Sequence, residues 1–561
     1  MTRFPLSLLF SFFILYTMNI SLSAQNLDSG PQVLSFFSDV DDTEQPYGLY
    51  VPEDYDAGKK YPLVVMLHGA GSNHRLALRR VFGQTNRDGE TDVEASRYFP
   101  RWENREYFVA SPRARGTMGY QGVAEKDVLD MLADVKRRFS IDEDRIYLTG
   151  LSMGGGGTLW IGLSYPDIWA AIAPVCPAAP AEALARAGNA LNIPVHIHQG
   201  GADPVVVPEG VRAWVKNLKK QGVEVEYREY PGVGHDSWAN AYGKEAIFDW
   251  FGQYKRNPFP TRVKFATDQY KHNKAYWITF DAFTPGTLAQ VDAKFSGGNK
   301  LKINTENLRV FTLQLEGHAL FNKELPLSVT IDGGTLEVTV DKTVTFLKTA
   351  NGWESGDFYP PALSKRKGVE GPMMDVVSTR HIYVYGTGGN PSEAELARRR
   401  QQAEKAAEWS LYRGEFLGRV MVFPRILSDR EVRPSDLQEA NLILFGDKTT
   451  NSLIERYSSF LPLHLNDASG DFGLAYVFPI GNRYVLINSG RSILDAPESD
   501  KQITGLSRIV SVPILYALGK FEDYVLFSRE EVVAHGRFDD QWQLPEDAVA
   551  RMKETGVVTM P

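Results

Sequence analysis

Apolar and amphipathic segments alternate over residues 30–256. Three mostly apolar runs have the length and the β-branched content of strands: residues 63–67, 145–149 and 193–198. Residues 123–139 and 209–221 instead carry apolar side chains at helical spacing. Strands and helices in alternation predict a mostly parallel sheet covered by helices on both faces. Functional sites on such sheets lie beyond the carboxyl ends of the strands.

The pattern changes after residue 256 and predicts two further units. Residues 261–350 combine β-rich runs with glycine-containing turns, which is typical of a small β-sandwich-like module. Residues 351–370 are rich in Gly, Pro and charge and are interpreted as a linker. Residues 371–561 return to strand and helix alternation and predict a second α/β domain, to which the sequence assigns no role.

The amino-terminal segment has the pattern of an export signal. Arg3 precedes an almost entirely apolar stretch, and a polar, small-residue stretch ends at Ala24. This predicts a signal peptide over residues 1–24 and a secreted or periplasmic protein with no membrane association after cleavage. The apolar core is short for a membrane span, so a retained anchor is the less favoured alternative.

Charge and cysteine content exclude some classes of function. The 561-residue chain has a formal net charge of −8, whereas nucleic-acid binding normally requires a basic surface, so no nucleic-acid partner is expected. Its one cysteine, Cys176, cannot form an internal disulfide and is interpreted as a core residue. Oligomeric state cannot be predicted from the sequence.

One short motif carries a specific chemistry. Residues 150–154, Gly-Leu-Ser-Met-Gly, fit the G-x-S-x-G nucleophile elbow, in which a strained strand-to-helix turn exposes the serine hydroxyl. The motif alone is weakly diagnostic, but here a predicted strand precedes it and small residues follow it. Ser152 is therefore the predicted nucleophile.

The partners of Ser152 are predicted from residues that follow later strands. His235 lies in a Gly/Pro-containing loop after a strand and is the predicted base, and Asp203 follows another strand and is the predicted orienting acid. The order Ser, Asp, His is the one expected for this elbow. Asp236 competes with Asp203, although its adjacency to His235 disfavours a bond to the distal ring nitrogen.

The backbone amides of Ala70 and Met153 are the predicted oxyanion hole, with Gly69 as the fallback for Ala70. Ala70 lies in the loop after the strand at 63–67, and Met153 follows the nucleophile. These residues support acyl transfer through an acyl-enzyme that water hydrolyses. This chemistry requires no metal and no organic cofactor.

These motifs resemble a known family over residues 45–255. The run at 144–155, the segment at 67–71 and Gly234-His235-Asp236 resemble secreted α/β-hydrolases of the prolyl-oligopeptidase-like and feruloyl or acetyl-xylan-esterase-like types. The resemblance implies an α/β-hydrolase fold, esterase or peptidase activity, and a triad of Ser152, Asp203 and His235. Fewer than 40 residues separate the signal from the first strand, which leaves no room for the large propeller of prolyl peptidases and favours an esterase.

The leading hypothesis is a carboxylic-ester hydrolase acting on acylated polysaccharide or oligosaccharide. A prolyl-oligopeptidase-like serine peptidase is the alternative, so the expected partner is an ester or peptide substrate, and a binding protein with an inert hydrolase domain is a third hypothesis. Substrate contacts are predicted for aromatic residues, with packing as the competing interpretation for each: Trp102, Tyr120, Trp169 and Trp238. Arg113 and Arg115 lie in a Pro/Gly loop and are interpreted as exposed loop charges that could meet an acidic substrate.

A second glycine-rich segment is not interpreted as a nucleotide site. Residues 385–389, Tyr-Gly-Thr-Gly-Gly, follow a predicted strand but lack the full glycine spacing and the later acidic residue of dinucleotide-binding folds. A turn into the following helix is the preferred interpretation.

Overall fold

The fold was analysed in a computed structural model of the chain, which describes residues 28–100, 103–410, 418–466, 469–497 and 512–560. The predicted signal peptide over residues 1–24 and the predicted contact residue Trp102 lie outside the described residues. In the described part of the chain, no helix combines the length and apolar composition needed to cross a membrane.

The first unit is an eight-stranded sheet in the order β1-β2-β4-β3-β5-β6-β7-β8. Strands β3 to β8 are parallel, and β1 and β2 are antiparallel to their neighbours. Its strands are β1 Gly30–Ser38, β2 Thr43–Val51, β3 Tyr61–Leu67, β4 Phe108–Pro112, β5 Ile141–Leu151, β6 Ala171–Val175, β7 Val195–Gly200 and β8 Val225–Tyr230. Its helices are α1 His74–Val81, α2 Asp92–Ala95, α3 Val123–Arg138, α4 Met153–Ser164, α5 Pro208–Lys220, α6 Trp238–Ala241 and α7 Ala246–Phe251, with 3-10 turns at Ala181–Asn192 and Gly243–Glu245.

The core of this unit explains its central strands. All seven residues of β3 are buried, and those at 63–67 have no solvent exposure. Burial on both faces requires a nearly continuous apolar run, because helices cover both sides of a parallel sheet. Complete burial stabilises each such aliphatic side chain by roughly 1.5–3 kcal/mol relative to exposure.

The second unit consists of two five-stranded sheets, in the orders β10-β11-β14-β17-β18 and β16-β15-β13-β12-β9, that share one apolar core. Its strands are β9 Arg262–Thr267, β10 Lys274–Ala275, β11 Ile278–Phe283, β12 Ala289–Gly297, β13 Lys300–Glu306, β14 Leu308–Gln314, β15 Leu327–Ile331, β16 Gly334–Val338, β17 Thr343–Thr349 and β18 Gly352–Ser355, with a 3-10 turn at Tyr270–His272. Alternating buried and exposed residues, as along β12, fit a sheet that faces a core on one side.

The third unit is built on a mixed seven-stranded sheet in the order β20-β19-β21-β24-β23-β25-β26. Its strands are β19 His381–Tyr385, β20 Arg425–Ser428, β21 Asn441–Phe445, β22 His464–Leu465, β23 Gly473–Ile480, β24 Arg483–Gly490, β25 Tyr524–Phe527, β26 Val532–Gly536 and β27 Val558–Thr559, of which β22 and β27 form a separate pair. Its helices are α8 Met373–Val376, α9 Glu393–Ala406, α10 Pro434–Glu439, α11 Ser452–Tyr457, α12 Pro513–Lys520 and α13 Glu546–Glu554, with a 3-10 turn at Ile493–Asp495. The predicted fold class is confirmed: a mostly parallel α/β-hydrolase sheet is followed by further sheet-rich units.

The interpretation of residues 351–370 as a linker is corrected by the structure. β18 lies within this segment and pairs with β17. Further along, Lys365 is buried and forms an ion pair with Asp523 of the third unit, and the Glu370 carboxylate accepts a hydrogen bond from the Lys271 backbone N–H at 2.8 Å. Charge and glycine content suggested a solvated linker, whereas Lys365 and Glu370 form contacts with residues of the neighbouring units.

Two residues suggested as substrate contacts belong to the interior. Arg115 has no exposed side-chain area, and its guanidinium donates to the carboxylates of Asp41 at 2.6 Å and Asp127 at 2.8 Å. Trp169 is completely buried in the core of the first unit. Neither side chain is available to a substrate, and Arg115 is not an exposed loop charge. Arg113 is partly buried and donates to the Met421 sulfur at 3.3 Å.

Candidate active site

Ser152 occupies a strained turn between β5 and α4. Its backbone angles are φ 56° and ψ −115°, a conformation that costs a non-glycine residue about 1–3 kcal/mol. The turn is held on both sides: the Ser152 N–H donates to the Val175 carbonyl at 2.9 Å, and the Ser152 carbonyl accepts from the Ala178 N–H at 3.1 Å. This geometry is that of a nucleophile elbow.

The flanking glycines are required by close backbone approach. A Cβ atom at Gly150 would lie 2.4 Å from the Gly154 carbonyl oxygen, and one at Gly154 would lie 2.2 Å from the Leu67 carbonyl oxygen. At Gly156 it would lie 2.0 Å from the Ala178 carbonyl oxygen. A Cβ atom at any of these positions would force α4 away from β5, from β3 or from the segment that follows β6.

The structure brings Ser152, His235 and Asp203 together at the carboxyl ends of β5, β8 and β7. The Ser152 Oγ lies 2.9 Å from Nε2 of His235, and Nδ1 of His235 lies 2.8 Å from Oδ2 of Asp203. With Nδ1–H donating to the carboxylate, Nε2 is left to accept the Ser152 hydroxyl proton. Asp203 thus contacts the distal ring nitrogen, which is the position that Asp236 was judged unsuited to fill.

Asp203 is held rigidly behind the imidazole. Its side chain has no solvent exposure, and its Oδ1 accepts hydrogen bonds from the backbone N–H groups of Val205 at 2.8 Å and Val206 at 2.9 Å. Gln199 Nε2 donates to Oδ2 at 3.2 Å. A carboxylate with this many donors is fixed in orientation, and it fixes the imidazole in turn. The His235 side chain is 23% exposed and faces the cavity.

Ser152 and His235 open onto a cavity of about 820 Å³. Its walls include Ala70, Met153, Tyr120 and Trp238, which sequence analysis had assigned to the oxyanion hole or to substrate contacts. The Trp238 ring meets the His235 ring edge-on, with 5.6 Å between centroids. Tyr120 is only 3% exposed, and its hydroxyl donates to the His68 carbonyl at 3.0 Å. The cavity is large enough for a small-molecule ligand or one end of a polymer.

Several cavity residues were missed by sequence analysis. They are Leu76, Arg80, Asp92, Met118, Gln121, Leu151, Trp160, Pro180, Glu182 and Val205. Trp160 could have been found, because it lies one helical turn beyond Gly156 and Gly157 on the same face of α4. Met118 and Gln121, in the 113–122 loop, carry no such periodicity, so only the fold shows that they reach the cavity.

Two hydrogen bonds fix the loop that contains Ala70. The Gly71 N–H donates to Thr117 Oγ1 at 2.8 Å, and the Ser72 N–H donates to the Gly69 carbonyl at 3.1 Å. Gly71 has a φ of +73°, which favours glycine at this turn. Ala70 and Met153 both line the cavity of Ser152, and their role as oxyanion donors stays a prediction.

Other histidines singled out by sequence lie elsewhere. His74 is buried at the start of α1, where desolvation lowers its pKa to about 3. His68 is completely buried, and desolvation lowers its pKa as well. His196 and His198 lie on β7 and line a separate cleft with Trp250. None of the four lines the cavity of Ser152.

Cys176 lies close to Asp203 and His235. Among the described residues, Cys176, Asp203 and His235 are a group whose possible ligand atoms lie within 4.8 Å of one another. Burial raises the pKa of the Cys176 thiol to about 12, so it remains protonated near neutral pH. A buried thiol beside a carboxylate that already binds His235 does not fit a metal-ligand set, because metals are bound by the thiolate.

Residues 41–247 match the family model described as "Putative esterase". The first unit is therefore similar in sequence to esterases, and its sheet has the α/β-hydrolase arrangement. The match covers less than half of the chain, and for this unit it supports a carboxylic-ester hydrolase of the serine hydrolase class.

Similar solved structures share parts of this chain. A thermostable esterase is 28% identical over 40% of this chain and 63% of its own length, with a TM-score of 0.33. A ferulic acid esterase of the anaerobic fungus Anaeromyces mucronatus is 21% identical over 41% of this chain and 93% of its own length, with a TM-score of 0.30. An acylaminoacyl peptidase of Pyrococcus horikoshii is 17% identical over 41% of this chain and 43% of its own length, with a TM-score of 0.31. None of these likenesses bears on the substrate.

Proposed function

We propose that this protein is an exported carboxylic-ester hydrolase that deacylates polysaccharide or oligosaccharide through Ser152, His235 and Asp203. The observation that carries the proposal is the continuous hydrogen-bonded chain from the Ser152 hydroxyl to the Asp203 carboxylate, which opens onto a cavity. Export rests on the sequence of residues 1–24, which has the charge and hydropathy pattern of a signal peptide.

The proposed reaction has two stages. Ser152 Oγ attacks the ester carbonyl while His235 Nε2 accepts the hydroxyl proton and then delivers it to the departing alcohol. The N–H groups of Ala70 and Met153 stabilise the oxyanion. Water then attacks the acyl-enzyme with His235 as base, which releases the acid and restores the serine. Asp203 holds the imidazole tautomer and stabilises the imidazolium ion.

The composition of the cavity supports an acylated sugar as substrate. Its lining includes the apolar side chains of Met118, Leu151 and Trp160, and this environment suits an aliphatic or aromatic acyl group. Polar side chains on the cavity lining could meet hydroxyl groups: Arg80, Asp92, Gln121 and Glu182. A polymer outside the cell is also the substrate that an exported enzyme would encounter.

A substrate panel tests the proposal. Purified protein is assayed on acetyl and feruloyl esters of small alcohols and xylo-oligosaccharides and on short chromogenic peptides, in parallel with Ser152→Ala. We expect ester turnover by the wild type and a loss of about 10⁵-fold or more in kcat for Ser152→Ala. A fluorophosphonate probe should label the wild type and leave the variant unlabelled.

The other outcomes separate the competing hypotheses. Cleavage of the peptides with no ester turnover would replace the esterase by a serine peptidase. Absence of turnover and of probe labelling, with retention of polysaccharide by the intact protein, would instead indicate a binding protein. Turnover of small esters without any sugar ester would retain the hydrolase and refute the substrate class.

A further inference from the structure

The loop between β4 and α3, residues 113–122, has two faces. One face lines the Ser152 cavity through Met118, Gly119, Tyr120 and Gln121. The other contacts a segment of the third unit, residues 419–423, hereafter the clamp segment. Met118 itself packs against the cores of both the first and the third units. The loop is therefore shared between the catalytic cavity and a unit to which the proposed function gives no role.

Backbone contacts tie the loop to the clamp segment. The Met421 N–H donates to the Arg115 carbonyl at 3.1 Å. Gly116 has a φ of +92°, and a Cβ atom there would lie 2.7 Å from the Arg419 carbonyl oxygen and 4.0 Å from the Val420 Cα. The two backbones are as close as glycine permits, so a shift of the clamp segment would move the loop.

A buried ion cluster strengthens this junction. Arg115 donates to Asp41 and Asp127 within the first unit, and Asp41 Oδ2 also accepts the backbone N–H of Phe423 at 2.9 Å. Removing one partner from a buried charge cluster leaves an uncompensated charge, which is strongly unfavourable. The cluster therefore restricts the loop and the clamp segment to one relative position.

The loop in turn holds the predicted oxyanion loop. Thr117 Oγ1 accepts the Gly71 N–H at 2.8 Å, the Arg113 carbonyl lies 2.8 Å from His68 Nε2, and Tyr120 donates to the His68 carbonyl. These contacts hold His68 and Gly71, which lie on either side of Ala70 in the sequence. A continuous path thus runs from the clamp segment through residues 113–120 to the amide expected to bind the oxyanion.

We propose that the clamp segment positions the oxyanion loop and one wall of the acyl pocket, so that the third unit is a structural part of the active site. This inference rests on the proposed function. Val420, Met421 and Thr117 are positioning residues, because they act through the Ala70 loop without contacting the reacting atoms. Oxyanion donors act in the transition state, so a small displacement should lower kcat and leave KM nearly unchanged.

A matched pair of core substitutions tests the proposal. Val420→Ala and Val477→Ala remove the same two methyl groups from completely buried positions in the same core, but only Val420 belongs to the clamp segment, whose backbone lies against Gly116. We expect Val420→Ala to lower kcat about tenfold, since full loss of an oxyanion donor costs about 10²–10³-fold, while KM changes less than about twofold. Val477→Ala should change kcat less than about twofold at equal folded fraction.

A second pair of substitutions, at Thr117, tests the path to the oxyanion loop directly. It also keeps the proposal testable if the core variants fail to fold. Thr117→Val removes the acceptor of the Gly71 N–H, and Thr117→Ser retains it. We expect Thr117→Val to lower kcat about tenfold and Thr117→Ser to restore most of it. Amide hydrogen exchange of residues 68–72, measured by mass spectrometry, should accelerate in Val420→Ala and Thr117→Val and remain at the wild-type rate in Val477→Ala.

The outcomes distinguish this inference from the proposed function. Equal kcat values and equal exchange rates in Val420→Ala and Val477→Ala, with an active wild type, would overturn the inference and leave the hydrolase intact. A kcat loss in Val420→Ala without faster exchange at residues 68–72 would also overturn it, because the path would not run through the oxyanion loop. A wild type that is neither labelled by fluorophosphonate nor active refutes the proposed function, and the inference with it.

Discussion

The first and third units both contain parallel strands that end in polar loops, but the loops are used differently. In the first unit, strands β5, β7 and β8 end near Ser152, Asp203 and His235, which face a cavity of about 820 Å³. In the third unit, strands β19, β20 and β21 end near Thr387, Asp429 and Asp447. There the polar groups bind one another and the local backbone.

Asp429 shows how the third unit uses its polar groups. Its Oδ1 accepts the Thr387 N–H at 3.1 Å and the Thr387 hydroxyl at 2.7 Å, and its Oδ2 accepts the Ser452 N–H at 2.8 Å. Asp203 likewise accepts two backbone N–H groups, but its second oxygen also holds an imidazole that reaches the cavity. Polar loops at strand ends are thus general, whereas a reactive site also needs a strained nucleophile and a partly exposed base.

The largest expected effect, a loss of kcat, appears when Asp203→Asn is compared with Asp429→Asn. Both changes remove a charge from a buried carboxylate that organises a loop. Asp203→Asn should lower kcat on a small ester by about 10⁴-fold, because an amide favours the wrong imidazole tautomer. Asp429→Asn should leave kcat within about twofold and lower the free energy of unfolding by about 1–3 kcal/mol. Steady-state kinetics and urea titrations measure the two effects.

Either of two results would remove the contrast. A comparable fall in kcat for Asp429→Asn, at a protein concentration and temperature where it is folded, would mean that the third unit carries part of the chemistry. An Asp203→Asn variant with nearly full activity would exclude Asp203 as the residue that orients His235. Circular dichroism and size-exclusion profiles of both variants provide the folding control.

A smaller effect is expected from a histidine of the third unit, His381. It is completely buried, its ring centroid lies 5.4 Å from that of Trp409, and its Nδ1 donates to the Thr379 carbonyl at 2.7 Å. Desolvation lowers its pKa to about 4. Between pH 6.5 and 4 the unfolded chain binds a proton that the folded chain does not. Stability should therefore fall as the pH is lowered through this window, by at most about 3 kcal/mol from this residue.

The comparison of His381→Gln with the wild type isolates this contribution. Urea midpoints between pH 7 and pH 4 should fall less steeply for the variant, whose side chain does not titrate but can still donate to the Thr379 carbonyl. Its kcat at pH 7 should match that of the wild type, in contrast to any change at His235. Parallel pH profiles for the two proteins would show that His381 is not the titrating group.

The site could be predicted from sequence where the chemistry is encoded locally. Gly150, Ser152 and Gly154 form a contiguous elbow, because close backbone approach dictates glycine at fixed offsets from the serine. The strand ends before Asp203 and His235 could also be recognised, and the known order of such residues on this sheet then selected both. Changes in hydrophobic periodicity predicted the division into three units, but not the strand β18 within residues 351–370.

What could not be predicted depends on contacts between distant segments. Arg115 was interpreted as an exposed loop charge, but Asp41 and Asp127, which lie 74 and 12 residues away, enclose it. The charged segment at 351–370 was interpreted as a linker for the same reason, since Asp523, the partner of its Lys365, is 158 residues away. Composition indicates that such residues prefer water, and only the fold shows where they find a compensating partner.

The smallest effect should come from two tyrosine hydroxyls, Tyr120 beside the cavity and Tyr383 in the third unit. Tyr120 donates to the His68 carbonyl at 3.0 Å, and Tyr383 accepts from Trp409 Nε1 at 3.1 Å. Tyr→Phe at either position should lower the free energy of unfolding by about 1 kcal/mol, since each leaves one buried polar group without its partner. Only Tyr120→Phe should also lower kcat/KM, by about two- to fivefold, because His68 precedes the loop that contains Ala70. Equal kcat/KM values for the two variants would show that the Tyr120 hydroxyl stabilises the cavity wall without influencing the loop that contains Ala70. The first and third units would then differ in their cavity and nucleophile rather than in how their buried polar groups are supported.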